Sequence, residues 1–193
     1  MKMVASVEMK IFGLWDCKEI EVKDISLIRY INLTERLVPH SAGRHEHKRF
    51  HKSHVHIIER LANKLMSPGK NTGKKILALN VVKSALQIIE LKTGSNPIQV
   101  LVDAIVNCAP REETTRISYG GIVYHTAVDS APQRRVDVAL RLLAQSVRKA
   151  SFNSIRTFDE ILAEQLILAS TNNPNSNAIK KKQDIERVAL SAR

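Results

Sequence analysis

The chain has 193 residues, and its 30 Lys+Arg against 19 Asp+Glu give a formal net charge of +11. Because 44% of the residues are hydrophobic, the chain can bury a core, which excludes a disordered basic tail. The two cysteines, Cys17 and Cys108, exclude a disulfide scaffold and a CxxC site. No apolar run approaches the roughly 18 residues that span a bilayer, and Met1–Glu8 lacks the apolar segment of a signal peptide. We therefore expect a soluble intracellular protein.

The N-terminal part of the chain is predicted to contain weak strands and a loop. Residues 10–15 and 19–22 give weak strand signals, the second through alternation of polar and apolar residues. The loop Pro39–Arg44 follows and is rich in residues that break regular structure. We assign residues 1–52 to an N-terminal extension and basic loop.

Helical spacing of apolar residues begins after this loop. A first helix is predicted within residues 53–66, and a second at about Lys74–Lys92, with Gly94 as its C-terminal stop. The second helix is apolar over much of its circumference, which predicts a central position. The segment Asn96–Gln99 then predicts an N-cap, a proline in the first turn and a glutamine that can complete a capping box.

A β-hairpin is predicted in the middle of the chain. Thr114–Tyr119 and Ile122–Ala127 are rich in β-branched and aromatic residues, and they flank Gly120-Gly121, a two-residue loop suited to a turn with positive φ. The predicted cross-strand pairs are Tyr119 with Ile122, Ile117 with Tyr124 and Arg116 with His125.

Three further helices are predicted at about Pro132–Ala150, at about Phe158–Ala169 and from about Ser176 onward. The expected fold is mainly α, a single helical domain of about six helices with a protruding β-hairpin arm. This domain covers residues 53–193, with the hairpin at 114–127.

The positive charge is concentrated in three parts of the chain. Residues 40–75 carry 9 basic and 2 acidic residues, residues 111–149 carry 7 and 4, and residues 180–193 carry 5 and 2. The stretches between them are neutral or acidic. Focal positive charge favours a polyanion as partner, whereas the alternative for any one part is a solvated basic surface.

A cluster of histidines is a candidate metal-binding site. Five of the seven histidines lie between His45 and His56, and Glu46 is among them. The cluster has no HExxH pattern and no nearby cysteine, and Lys48, Arg49 and Lys52 would repel a divalent cation. A basic loop that faces RNA or solvent is therefore favoured, and a metal-dependent nuclease remains an alternative.

Two basic segments have a pattern suited to phosphate. The loop Gly69–Lys75 departs from the nucleotide-binding P-loop in its glycine spacing and in having Lys75 in place of Ser or Thr, but it suits phosphate binding in general. Arg134, Arg141 and Arg148 recur every seven residues and form one stripe on a helix. Asp137 could neutralise this stripe as an intrahelical partner, which leaves a solvated face as the alternative.

The mode of nucleic-acid recognition follows from what the sequence lacks. Aromatic residues make up only 4%, so no platform for stacking bases is evident. We expect recognition of folded RNA through phosphate and shape. A helical DNA-binding regulator is the other alternative, although no helix-turn-helix partner precedes Pro132–Ala150.

The sequence resembles the seventh small-subunit ribosomal protein family over nearly its whole length. The signature residues are Glu59, Leu61, Leu65, Met66, Gly73, Lys74, Lys75, Val81, Val82 and Ala85. The segments that continue the resemblance are Pro39–Arg44, Asn96–Leu101, Pro110–Glu112, Arg134–Val136 and Ala178–Lys182. The N-terminal segment and the ending Ser191–Arg193 are similar to the archaeal and eukaryotic branch.

The resemblance implies a structural protein of the cytoplasmic small subunit, with no catalytic activity and no cofactor, metal or membrane partner. It implies binding to the 3′ major domain of small-subunit rRNA, nucleation of head assembly, and a hairpin near the tRNA exit site and the mRNA path. It also implies contacts with neighbouring head and platform proteins, for which residues 150–179 are a candidate surface. The expected RNA-binding residues are Arg44, Lys48, Arg49, Lys52, Lys70, Lys74, Lys75, Arg111, Arg116, Gly120, Gly121, Arg134, Arg135, Arg141, Arg148, Lys149, Lys180, Lys181, Lys182 and Arg187.

Overall fold

Seven α-helices and one β-hairpin form the regular structure of the residues that the computed structural model describes, which are 9–43, 45, 47–66, 69 and 71–193. In chain order they are α1 (Ile25–Ile28), α2 (Ile57–Leu65), α3 (Lys75–Thr93), α4 (Pro97–Cys108), β1 (Glu112–Tyr119), β2 (Ile122–Asp129), α5 (Pro132–Ser151), α6 (Phe158–Ser170) and α7 (Asn177–Ser191). A 3₁₀ helix, His51–His54, precedes α2. The predicted mainly α fold with a hairpin arm is confirmed.

The two N-terminal strand predictions are wrong. Residues 10–15 form a turn closed by a single bridge between Ile11 and Trp15, and residues 19–22 are irregular. Gln99 supplies the hydrogen bonds that a neighbouring strand would otherwise make with Glu21. Its Oε1 accepts from the Glu21 N–H and its Nε2 donates to the Glu21 carbonyl, both at 3.0 Å. Gln99 therefore holds the N-terminal segment on α4.

The centre of the core is formed by α4 and α6, because each packs against the other and against α3, α5 and α7. Eight of the twelve residues of α4 are buried. The central position predicted for α3 is thus taken by α4 and α6, since α3 leaves Ile76 and Leu91 exposed. Asn107 secures the packing of α4 on α6, because its Nδ2 donates to the carbonyls of Ala169 and Ser170 at the C-terminus of α6.

The hairpin has the predicted register, with Tyr119 opposite Ile122, Ile117 opposite Tyr124 and Arg116 opposite His125. Gly120 and Gly121 form the turn with φ of +59° and +82°. The strands are two residues longer at the base than predicted. There the Ala127 N–H donates to the Ala192 carbonyl, and Arg193 pairs with Glu112. Since an isolated hairpin is marginally stable, these contacts with the C-terminus anchor the arm.

A buried histidine begins α2. His56 is fully buried, its Nδ1 accepts from the Ile58 N–H at 3.2 Å, and no side chain or backbone group in the described ranges bonds its Nε2. Burial lowers the pKa of His56 from 6.5 to about 4. The folded state therefore favours the neutral imidazole, which makes the stability of the fold dependent on pH.

We expect acid to destabilise the fold through His56. Because its pKa is lower in the folded chain, stability is full above about pH 6.5 and is lost as the pH falls toward 4. The free energy of unfolding should be about 2 kcal/mol lower at pH 5 than at pH 7.5 in urea titrations. His56→Asn keeps a capping acceptor without a titrating group, so it should remove this difference. If the variant lost as much stability at pH 5 as the parent chain, His56 would not be the cause.

Candidate nucleic-acid interface

The exposed face of α5 carries the predicted row of basic side chains. Arg141, Arg148 and Lys149 are exposed on this face, while the apolar side of the helix packs into the core. The guanidinium groups of Arg141 and Arg148 make no ion pair or hydrogen bond within the part of the chain that the structure describes. Their charge is therefore available to an external anion, and arginine binds phosphate oxygens in a bidentate manner.

Asp137 pairs with neither Arg141 nor Arg148. Its carboxylate binds the Lys52 ammonium at 2.5 Å and the Arg60 guanidinium at 2.9 Å, both from the segment before and within α2. Burial acts to raise the pKa of Asp137, but the hydrogen bonds and the positive charges of Lys52 and Arg60 together outweigh it and lower the pKa. Asp137 therefore links α5 to the basic loop, the segment before α2 that contains Lys48, Arg49 and Lys52. It places Lys52 beside the N-terminal half of α5.

The neighbouring residues Arg134 and Arg135 have different environments. Arg134 is exposed and pairs with Glu113 at the base of the hairpin. Arg135 is only 8% exposed, and its guanidinium donates to Asp24 at 2.8 Å, to the Ser26 hydroxyl at 2.6 Å and to the Pro110 carbonyl at 3.2 Å. Arg135 thus fixes the N-terminal segment to α5 and does not reach the surface.

The fold places α7 beside the arginine row. The Lys181 ammonium donates to the Gln145 amide oxygen of α5 at 3.4 Å, and Lys180 is exposed next to it. Lys182 lies 3.8 Å from Glu186, whereas Arg187 pairs with Asp184. The side chain of Arg111 is exposed near the same helix, because its backbone N–H donates to Glu186. The basic parts at residues 111–149 and 180–193 therefore form one surface.

Lys74 and Lys75, at the end of the loop Gly69–Lys75, have different environments. Lys74 is exposed, but the Lys75 ammonium binds the buried carboxylate of Glu59 at 2.5 Å. The Ser41 N–H and hydroxyl also donate to Glu59, at 3.1 and 2.8 Å. Burial acts to raise the pKa of Glu59, yet the hydrogen bonds from Lys75 and Ser41 and the positive charge of Lys75 together outweigh it and lower the pKa. Two predicted site residues, Arg44 and Lys70, lie outside the described residues.

The hairpin contributes little charge to this surface. Arg116 is exposed and is the one cation within the two strands. The turn glycines Gly120 and Gly121 are exposed at the tip, flanked by the exposed apolar side chains of Tyr119 and Ile122. The tip of the arm is thus uncharged, whereas Glu112, Glu113 and Asp129 make its base acidic.

A cavity of about 430 Å³ lies where the basic loop meets the start of α5. Lys48, Arg49 and Lys52 line it together with His45, Phe50 and Gln133. Gln133 is 6% exposed, and no acceptor among the described residues bonds its amide Nε2. The sequence did not single out Phe50 or Gln133, because 83 positions separate them and only the packing of the loop on α5 brings them together.

The histidines of the basic loop pack against one another. The ring centroids of His45 and His51 are 5.4 Å apart, and those of His51 and His54 are 5.5 Å apart. Within the described ranges, no three His, Cys, Asp or Glu side chains lie close enough together to hold a metal ion. None of the helices in the described residues is both long enough and apolar enough to cross a membrane.

Comparison with known proteins identifies the family. The family model for "Ribosomal protein S7p/S5e" matches residues 27–193. The chain belongs to the S7p/S5e family of ribosomal proteins. It is similar to the "Small ribosomal subunit protein uS7" of Archaeoglobus fulgidus, with 52% identity over 96% of both chains. It is also similar to the protein of the same name from Methanothrix thermoacetophila, with 49% identity over 96% of this chain and 100% of the relative.

The family membership confirms the resemblance predicted from the sequence. S7p/S5e proteins are structural and not enzymes, so the chain has a structural role in the ribosome. This favours rRNA binding by the basic surface over the two alternatives, a DNA-binding regulator and a metal-dependent nuclease.

Proposed function

We propose that the chain binds the 3′ major domain of small-subunit rRNA, nucleates assembly of the subunit head and lies near the tRNA exit site and the mRNA path. As an S7p/S5e protein it works in the cytoplasm, within the small ribosomal subunit. The observation that carries the RNA-binding part of the proposal is the row of Arg141 and Arg148, which is unpaired among the described residues and continuous with Lys181. The rRNA domain and the location in the subunit are proposed from the family.

The geometry supports binding of several RNA segments at once. One segment lies along α5 and α7, a second follows the basic loop, and a third meets Arg116 on the hairpin. Because all three surfaces belong to one packed core, they hold these segments in a fixed arrangement, which is what nucleation of an RNA domain requires. The side chains proposed to contact phosphates are Lys48, Arg49, Lys74, Arg111, Arg116, Arg141, Arg148, Lys149, Lys180 and Lys181.

Protein neighbours are proposed to bind elsewhere. The turn between α5 and α6 exposes Phe152 and Ile155, and the segment 150–179 has an excess of acidic residues. An apolar and acidic surface suits a neighbouring basic protein of the head or platform better than it suits RNA. The hairpin tip at Gly120-Gly121 is proposed to lie near the mRNA and the exit-site tRNA, as the family resemblance implies.

The double variant Arg141→Ala plus Arg148→Ala tests the RNA surface. We expect it to weaken binding to a transcript of the 3′ major domain by roughly 10- to 100-fold in filter binding, since two phosphate contacts are lost. The slope of log affinity against log salt should become shallower by about 2. The melting temperature should change little, because neither guanidinium has a partner among the described residues.

A matched control removes the same charge from another surface. The control variant is Lys92→Ala plus Arg156→Ala. Lys92 and Arg156 lie beside Glu160 and Glu164, so the local charge there is not positive. We expect this variant to bind the transcript as the parent chain does. Equal weakening by both double variants would mean that net charge alone drives binding, and a large stability loss in the first would show that the arginine row is structural.

A further inference from the structure

The cavity between the basic loop and α5 has features that phosphate binding does not need. Phosphate contact along an RNA backbone requires only exposed cations, yet this cavity also contains an aromatic ring and a buried amide.

Phe50 is held so that its ring stays beside the cavity. The ring is 51% exposed, and the Arg49 guanidinium lies over it at 5.2 Å from its centroid. The Phe50 carbonyl accepts hydrogen bonds from the N–H and the hydroxyl of Ser53, which fixes the backbone there. A half-exposed ring next to a guanidinium plane is the arrangement on which an unpaired RNA base stacks.

Gln133 supplies an independent observation. Its side chain is nine-tenths buried and lines the cavity, and its Nε2 has no acceptor in the described part of the chain. A buried amide N–H without an acceptor is unfavourable, and a ligand that brings an acceptor removes that cost. Base edges carry such acceptors as carbonyl oxygens and ring nitrogens.

The start of α5 adds to the attraction for an anion. Its N-cap is Ala131, and no side chain caps this end within the described residues. The helix N-terminus therefore presents partial positive charge close to Lys48 and Arg49, neither of which forms an ion pair in the described part of the chain.

We propose that this cavity binds a single unstacked nucleotide of the rRNA. Its base stacks against Phe50 and Arg49, its edge accepts a hydrogen bond from Gln133, and its phosphate lies against Lys48 and the start of α5. The inference rests on the proposed rRNA binding. It adds a site that recognises a base, whereas the rest of the surface recognises phosphate and shape.

The test compares two aromatic substitutions at opposite ends of α5. Phe50→Leu removes the ring and retains an apolar side chain, while Phe152→Leu makes the same change at an exposed ring outside the cavity. Binding to the 3′ major domain transcript should weaken roughly 5- to 150-fold for Phe50→Leu, the range for one stacked base. Phe50→Trp should restore it, and the salt slope should stay unchanged because no cation is lost.

Gln133→Met serves as a second variant that removes the amide at constant length. We expect it to weaken binding too, and chemical probing of the RNA should show one nucleotide whose protection is lost in both the Phe50→Leu and the Gln133→Met complexes. If Phe50→Leu binds as tightly as Phe152→Leu, the cavity holds no stacked base and the inference is wrong. If the parent chain itself does not prefer this transcript to an unrelated RNA of equal length, the proposed function fails, and this inference fails with it.

Discussion

Raising the salt concentration from 50 to 200 mM is expected to lower the affinity of the chain for its rRNA domain by about 10³–10⁵, the loss that accompanies contact with roughly 6–10 phosphates. The structure supports a number in this range. Among the predicted RNA-binding residues that it describes, ten cations form no ion pair within the described ranges. These are Lys48, Arg49, Lys74, Arg111, Arg116, Arg141, Arg148, Lys149, Lys180 and Lys181.

The measurement is a series of binding isotherms at increasing salt with the transcript of the 3′ major domain. Each contact between a cation and a phosphate releases condensed counterions, so log affinity should fall linearly with log salt concentration. An affinity that does not change with salt would refute binding through these cations. The Lys92→Ala plus Arg156→Ala variant should give the parent slope, which separates contact at the RNA surface from a general effect of net charge.

Replacing Glu59 by alanine is expected to cost about 3 kcal/mol of unfolding free energy, the lower end of the range for breaking a buried ion pair, because Lys75 is partly exposed. Glu59 is buried and accepts hydrogen bonds from Lys75 and from the N–H and hydroxyl of Ser41. Its loss leaves these donors unpaired and separates the loop at Ser41 from α2 and α3.

Urea unfolding at pH 7 measures this change, and Glu164→Ala is its control. Glu164 pairs with Arg156 at the surface, where both side chains are largely exposed, so its removal should cost less than about 1 kcal/mol. The pKa of Glu59 is lowered in the folded chain, so its contribution is present at neutral pH and is lost as the pH falls below the usual carboxyl range. A loss as small as that of Glu164→Ala would mean that the Glu59 cluster is dispensable.

Local sequence patterns were sufficient to predict the hairpin and most helix ends. Gly120-Gly121 determines the strand register, because a two-residue turn with positive φ allows only one pairing. Gly94 ends α3 in the left-handed conformation, and Asn96 caps α4 through its side chain. The seven-residue spacing of arginines likewise placed Arg141 and Arg148 on one face of α5, since helical periodicity is a local property.

The sequence by itself therefore determined the fold class, the family and the basic character of this protein. Tertiary structure decided which charges are available. Asp137 binds Arg60, 77 positions away, and Asp24 binds Arg135, 111 positions away. The periodicity of one helix carries no information on such partners, because they depend on which faces of distant segments pack together. The same packing buries Arg135 and pairs Lys75 with Glu59. It leaves Arg141 and Arg148 without a partner in the described residues, and it joins Phe50 to Gln133 across one cavity.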